Sequence, residues 1–146
     1  MSRAFEFEEV KGDDILVHLA WAGLPNYSSL HHIEQNLPWS YFLIKSFLKA
    51  GGSHVAVSGT CFEYGLQYGP VGSSTDPRPN TAYSMAKDML RRQLEILQEQ
   101  DYFTLVWARF FYIFGERAVQ TAIELLEGTL LKMGQDHGPP VPKVTE

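Results

Sequence analysis

Three short apolar runs divide the sequence, and a segment with helical periodicity follows each of them. The runs are Ile15–His18, His54–Ser58 and Phe103–Ala108, and their length and composition predict buried strands. Because strands that alternate with helices pair in parallel through right-handed crossovers, the pattern predicts an α/β fold. We expect a parallel sheet of about three strands with helices on its flanks.

The helical segments are marked by apolar residues at spacings of three and four. The first, Leu30–Leu48, contains Pro38, which should kink or divide it. The second begins after Thr81 or Asn80, either of which is a favourable N-cap residue. Apolar residues occur all round this second helix, which predicts burial on two sides. The third helix is predicted over Glu116–Met133.

The composition is that of a folded domain without a nucleic-acid or membrane partner. The 146 residues are 45% hydrophobic and 20% charged, as in globular proteins. The net charge of -5 gives no basic footprint for nucleic acid. No run approaches the roughly 20 apolar residues that span a bilayer, and the acidic N-terminus does not resemble a signal peptide. The single cysteine, Cys61, fits a reducing compartment. We therefore expect a cytoplasmic protein.

Tyr83 and Lys87 stand four residues apart on one face of the predicted second helix. A nearby ammonium favours the phenolate and should lower the pKa of Tyr83 toward a working range. A tyrosine so adjusted can serve as the general acid or base of a carbonyl–alcohol interconversion. Thr60, at the end of the second strand, is placed to hydrogen-bond the same substrate oxygen.

The same Tyr-x-x-x-Lys spacing occurs at Tyr41 and Lys45, so spacing alone does not identify the site. Tyr83 opens a helix near the carboxyl ends of the strands, where parallel sheets bind ligands. Tyr41 lies in the middle of a helix and is predicted to be a core or interface residue.

Four segments resemble successive landmarks of the extended short-chain dehydrogenases/reductases, in family order. They are DDILVHLAWAGLPNY, VSGTCFEYGLQYGP, PNTAYSMAKDMLRRQLEIL and LVWARFFYIFGE, within Asp13–Glu116. The chain is thus similar to the NAD-dependent epimerase/dehydratase family. The wording HLAW, LPNY and GTCFEYG is most similar to dTDP-6-deoxy-L-talose 4-dehydrogenase-like enzymes. The resemblance implies a partial Rossmann-like sheet, NAD or NADP as cofactor and a nucleotide-sugar substrate.

The resemblance also assigns roles to individual residues. Thr60, Tyr83 and Lys87 match the catalytic residues of the family, and the lysine and tyrosine also bind the cofactor. The other residues that match cofactor-binding positions are Leu19, Ala20, Trp21, Asn36, Phe110 and Phe111. Tyr112 departs from the family, which commonly has an asparagine there.

Two parts of the family pattern have no counterpart here. A family member begins with a strand and a Gly-x-x-Gly-x-x-Gly turn that receives the pyrophosphate, and nothing before Asp13 matches it. After Glu116 only one helix and a tail follow. We therefore assign residues 1–133 to a truncated Rossmann-like NAD(P)-binding and catalytic domain. A flexible, proline-rich tail is expected at 134–146.

Two functions stay open. The first is an NAD(P)-dependent oxidoreductase or epimerase acting on the C4 keto or hydroxyl group of a nucleotide-linked deoxysugar, weak or inactive as this chain. The second is a non-catalytic remnant that serves as an interaction or dimerisation module.

Without the first three strands of the family sheet, the Ile15–His18 strand is expected at an edge of the sheet with its apolar faces uncovered. Such a strand favours association with another chain. In the family, the helices matching Leu30–Ala50 and Thr81–Glu99 pair across a dimer axis. We therefore expect a homodimer or other self-association, which light scattering would test.

The remaining polar residues have structural interpretations. His31 and His32 have no partners at ligand spacing, so no metal site is predicted. His18 is predicted to be packed and hydrogen-bonded. Arg109 and Glu116 are predicted to be structural or solvated.

Overall fold

A computed structural model describes residues 5–72, 74–113 and 117–136. Strands and helices alternate along the chain. The elements are β1 (Ile15–His18), α1 (Leu37–Lys49, preceded by a π-helical turn, His32–Asn36), β2 (His54–Thr60), α2 (Ala82–Gln100), β3 (Thr104–Phe110) and α3 (Ala118–Asp136). The strands form one parallel sheet in the order β1-β2-β3. The predicted fold, a partial Rossmann-like sheet with flanking helices, is confirmed.

Helices cover both faces of the sheet. Successive side chains of a strand point to opposite faces, so apolar residues of β2 pack against helices on each side. Val55 and Val57 of β2 pack in one cluster with Leu90 and Leu94 of α2, to which α1 also contributes. Ala56, between the two valines, packs in a second cluster with residues of α3. The sheet is therefore the middle layer of a three-layer structure.

Pro38 divides the first predicted helix. It occupies the first turn of α1, where the amide hydrogen that proline lacks would have no intrahelical partner. The segment before it, His32–Asn36, is π-helical. The third helix extends beyond its predicted end and stops at Asp136. Residues 137–146 of the predicted tail, and the predicted helix start at Glu116, lie outside the described residues.

β1 lies at an edge of the sheet, but the prediction that its faces are uncovered is wrong. Leu16 packs against the cluster beneath α1 and α2, and Ile15 and Val17 pack against the cluster beneath α3. Both faces of the strand are thus in contact with helices.

Within the described part of the chain, α2 is buried on one side only. Its inward side chains include Leu90 and Leu94, whereas Met85, Met89 and Ile96 are exposed. Burial of the exposed side of α2 against a partner stays a prediction. None of the helices in the described part of the chain is both long and apolar enough to cross a membrane.

Candidate active site

The predicted catalytic residues meet at the carboxyl end of β2. Thr60 is the last residue of that strand and caps the short turn that follows it. α2 begins nearby because Thr81 and Ser84 form a reciprocal cap at its N-terminus. The backbone N–H of Tyr83 donates to the Tyr27 carbonyl at 2.9 Å, which ties the start of α2 to the loop after β1.

The Tyr83 side chain is enclosed by aromatic rings. It is 7% exposed, and the rings with centres within 6.2 Å of its own include those of Trp21, Tyr27, His32 and Phe62. Burial raises the pKa of the Tyr83 phenol, and an interaction with the Thr60 side chain offsets only part of that rise. The phenol is therefore protonated in the free chain at neutral pH.

Lys87 lies one helical turn further along α2 and is almost fully enclosed, with 1% of its surface exposed. Its Nζ donates to the Ser58 carbonyl at 2.7 Å and lies 4.2 Å from the centre of the Trp21 ring. Burial lowers the pKa of Lys87 to about 7, although the Glu63 carboxylate acts to raise it. Near neutral pH both the charged and the neutral form of the amine are therefore populated.

The predicted electrostatic relation between the two residues is not found in the free chain. The pKa of Tyr83 is raised rather than lowered, and the cause is burial. The Lys87 ammonium is engaged by the Ser58 carbonyl and the Trp21 ring. Spacing on a helix placed both residues on one face, but it did not show how deeply each is buried.

A buried carboxylate fixes the backbone at Thr60. Glu63 is 0% exposed and accepts hydrogen bonds from the Thr60 N–H at 2.8 Å, Trp107 Nε1 at 3.1 Å and Arg109 Nε at 2.7 Å. Burial lowers the pKa of Arg109, but the hydrogen bond and charge of Glu63 outweigh it and raise that pKa. A Cβ atom at Gly59 would collide with the Trp107 indole, so glycine is required beside this network.

Two cavities lie beside the aromatic side chains that enclose Tyr83. The larger has a volume of about 460 Å³, and its walls include the aromatic side chains Phe62, Tyr64 and Phe111. The smaller has a volume of about 190 Å³ and lies next to His18 and Trp21. The larger volume is in the range of small-molecule sites.

The residues that the resemblance assigns to a cofactor fall into two groups. Those that line a cavity are Ala20, Trp21, Asn36 and Phe111. Leu19 and Phe110 instead pack against the cluster beneath α3. Their position follows from strand alternation, which turns the side chains of every second residue toward that helix. These two side chains therefore contact the core, and their assignment to the cofactor stays a prediction.

Sequence comparison gives the family of the chain. The model of the NAD dependent epimerase/dehydratase family matches residues 3–137. The chain belongs to this family. Among solved structures, it is similar to TunA, described as a novel NAD-dependent NDP-hexosamine 5,6-dehydratase involved in tunicamycin biosynthesis. The TM-score is 0.56, with 22% identity over 69% of the chain and 35% of TunA. The chain thus spans about a third of TunA's length, and the likeness shows the fold. No curated protein matches the sequence.

A member of this epimerase/dehydratase family needs groups that can hold the hydroxyls of a dinucleotide ribose, and the polar atoms here fit that need. Lys87 Nζ carries three donors, one of which goes to the Ser58 carbonyl. His18 Nδ1 is buried without a hydrogen-bond partner in the described part of the chain, although the sequence predicts a hydrogen-bonded histidine. Burial, followed by the charge of Lys87, lowers the pKa of His18 to about 4, so its ring is neutral.

His31 and His32 belong to a polar network in the loop after β1. His32 Nε2 is 2.7 Å from the Asn26 carbonyl, and Asn36 Nδ2 donates to the Ala22 carbonyl at 2.9 Å. Asn36 therefore stabilises the loop that forms one wall of the smaller cavity. Among the described residues, no three His, Cys, Asp or Glu side chains are placed to hold a metal ion.

Sequence reasoning missed Glu63, His32 and the His18 nitrogen that has no partner among the described residues. A signal for Glu63 is present: Thr60 and Glu63 have the Ser/Thr-x-x-Glu spacing of a capping box, and both of its hydrogen bonds form. No local pattern indicates the roles of the two histidines, because their partners are set by the tertiary fold.

Because of Lys87, the free energy of unfolding should depend on pH in the neutral to alkaline range. Its pKa of about 7 in the folded chain lies below the ordinary 10.5, so between these values the unfolded chain binds more protons. The free energy of unfolding should therefore rise with pH from about 7 to about 9.5, by at most about 1.4 kcal/mol per pH unit. Urea denaturation across this range measures the slope. Lys87→Met should flatten it; an equal slope in this variant would contradict the assignment.

Proposed function

We propose that the protein is an NAD(P)-dependent oxidoreductase or epimerase that acts on the C4 keto or hydroxyl group of a nucleotide-linked deoxysugar. The observation that carries the proposal is the meeting of Thr60, Tyr83 and Lys87 at the carboxyl end of β2. Membership of the epimerase/dehydratase family supports it. The activity named for TunA, on an NDP-hexosamine, is consistent with the substrate class.

The chemistry divides between the cofactor and the chain. When bound, NAD(P) accepts or supplies the hydride. Tyr83 Oη takes the proton from the sugar hydroxyl during oxidation and returns it to the oxygen during reduction. Thr60 Oγ1 hydrogen-bonds the same oxygen and orients it toward the phenol. Because burial keeps Tyr83 protonated in the free chain, this chain is prepared to donate the proton.

Lys87 has two tasks in this scheme. Its Nζ holds ribose hydroxyls, for which the ammonium has donors to spare beyond the Ser58 carbonyl. Its positive charge also favours the phenolate of Tyr83, which accepts the sugar proton during oxidation and forms again when the phenol donates its proton during reduction. With a pKa of about 7, Lys87 should become fully charged when ligand hydroxyls hydrogen-bond to it.

The larger cavity suits the sugar. Phe62, Tyr64 and Phe111 form apolar walls, against which the methyl group and carbon-bound hydrogens of a deoxysugar can pack. Arg109 Nη1 donates to the Tyr64 hydroxyl at 3.2 Å, which fixes one of these walls to the Glu63 network. One wall of the cavity is therefore linked through Arg109 to the carboxylate that accepts from the Thr60 N–H.

A second candidate, a non-catalytic interaction module, is favoured by the exposed side of α2. Met85, Met89 and Ile96 are 46%, 43% and 56% exposed and lie on one side of the helix. Such a row of apolar side chains is typical of an association surface. This function requires no cofactor binding.

Calorimetric titration of the purified chain with NADH and NADPH separates the two candidates. The enzyme proposal expects micromolar binding that Lys87→Ala weakens by about 10- to 100-fold, as for the loss of a charge-assisted hydrogen bond. Lys45→Ala, in the second Tyr-x-x-x-Lys pair, is the matched control and should bind as the unaltered chain does. Absence of binding at millimolar cofactor would contradict the enzyme proposal and favour the interaction module.

A further inference from the structure

The Trp21 indole covers the Lys87 ammonium. Nζ lies 4.2 Å from the centre of the ring, well within the distance of a cation–π interaction. The same ring meets Tyr83 edge to face, with centres 6.0 Å apart. One aromatic side chain therefore touches both residues to which the proposed function assigns the main chemistry.

The orientation of Trp21 is fixed by His32. Trp21 Nε1 donates to His32 Nδ1 at 3.1 Å, and the two rings stack at an angle of 23°. His32 Nε2 lies 2.7 Å from the Asn26 carbonyl, an acceptor, so Nε2 carries the hydrogen and Nδ1 is free to accept. His32 is 0% exposed. The histidine is thus a buried bridge between the backbone and the indole.

Lys87 has no carboxylate in contact in the described part of the chain. Its neighbours are the Ser58 carbonyl at 2.7 Å, the Ser58 hydroxyl at 3.5 Å and the indole face. A buried ammonium without an anionic partner is costly, and the indole supplies part of the missing stabilisation. The same ring shields the amine from water, since Lys87 is only 1% exposed.

We propose that Trp21 is a positioning residue for Lys87 and that His32 acts as the latch that holds Trp21 in place. In the free chain the indole holds Nζ against the end of β2 and keeps it out of water. The hydroxyls of a ligand reach Nζ only when the indole moves aside or shares the ammonium with them. That these hydroxyls belong to a dinucleotide ribose rests on the proposed function; the latch itself is a property of the free chain.

The rate at which Lys87 is modified tests the latch. Reductive methylation with formaldehyde and a borane, followed by peptide mass spectrometry, reports each lysine separately. Trp21→Ala should raise the Lys87 rate by about tenfold, because both the cation–π contact and the cover are lost. Trp21→Phe keeps a ring over the amine and should restore a rate within about threefold of the unaltered chain. His32→Gln leaves the indole without its stacked partner. The Lys87 rate in this variant should lie between those of Trp21→Ala and Trp21→Phe.

Lys45 is the internal control. Its Nζ lies 5.6 Å from the Tyr41 ring, in a second cation–π pair that does not contact Trp21, so its rate should be the same in every variant. A selective increase at Lys87 together with restoration by phenylalanine supports the latch. An unchanged Lys87 rate in Trp21→Ala would overturn the latch. It would also be overturned if Lys45 rose equally, which shows general unfolding, and Trp21→Phe restored neither rate.

A measurement on the unaltered chain tests the His32 bond without any substitution. The indole N–H of Trp21 should exchange with deuterium at least about tenfold more slowly than that of Trp39, whose side chain is 54% exposed. Equal exchange rates would overturn the role of His32. Neither experiment uses a nucleotide, so failure to bind NADH would count against the proposed function and leave the latch to be decided by these rates.

Discussion

Replacing Tyr83 with phenylalanine should lower turnover of a nucleotide-linked deoxysugar by about 10²- to 10⁴-fold, the usual contribution of a general acid or base. Only the phenolic oxygen is removed. The ring and its contacts with Trp21 and Phe62 are kept, so the fold and the affinity for NADH should change little. Initial rates of NADH consumption with a C4-keto nucleotide sugar measure the effect, and it should appear in kcat rather than KM.

Tyr41→Phe is the matched control for this prediction. Tyr41 also precedes a lysine by four residues and packs at the edge of the core, but it lies on α1, away from the end of β2. Loss of the Tyr41 hydroxyl should leave turnover within about twofold of that of the unaltered chain, as for substitutions away from the active site. Equal turnover by Tyr83→Phe and the unaltered chain would remove Tyr83 from the proposed mechanism.

The fold could be predicted because its signals are local. β1 has the predicted bounds, and the apolar character of β2 follows from its burial against helices on both faces. The start of α2 is set by the Thr81 cap, and Pro38 divides the first helix for a reason that lies in its own covalent structure. Such features need no knowledge of distant residues.

The position of the candidate site could be predicted for a related reason. The carboxyl ends of parallel strands lie at one edge of the sheet, so a residue that ends β2 and one that begins the next helix come close together. This places Thr60 beside Tyr83 without any long-range information. The same argument separates Tyr83, which opens a helix near the strand ends, from Tyr41, which lies in the middle of one.

The electrostatics of the site could not be predicted in the same way. The pKa values of Tyr83 and Lys87 depend on burial, which is decided by side chains far away in sequence. Trp21, which covers Lys87, follows a different strand, and Arg109, which pairs with Glu63, lies 46 residues beyond it. A helical spacing of four contains none of these contacts.

Replacing Glu63 with leucine should lower the free energy of unfolding by about 3 kcal/mol, the lower end of the cost of breaking a buried ion pair. The substitution leaves the Thr60 N–H and Trp107 Nε1 without their acceptor. It also leaves the Arg109 guanidinium unpaired, although this side chain is 20% exposed and can reach some water. Urea denaturation of the purified variant measures the loss.

Glu63→Gln separates the charge from the shape, because the amide keeps one oxygen as acceptor for the Thr60 N–H. It should therefore cost less than Glu63→Leu. The double variant Glu63→Leu/Arg109→Leu should also be more stable than Glu63→Leu alone, since no buried cation is left without a partner. If the single and double leucine variants were equally unstable, the ion pair would not be the source of the loss. The hydrogen bonds that Glu63 accepts from Thr60 and Trp107 would then carry the whole effect, and the carboxylate would serve the site through Thr60 alone.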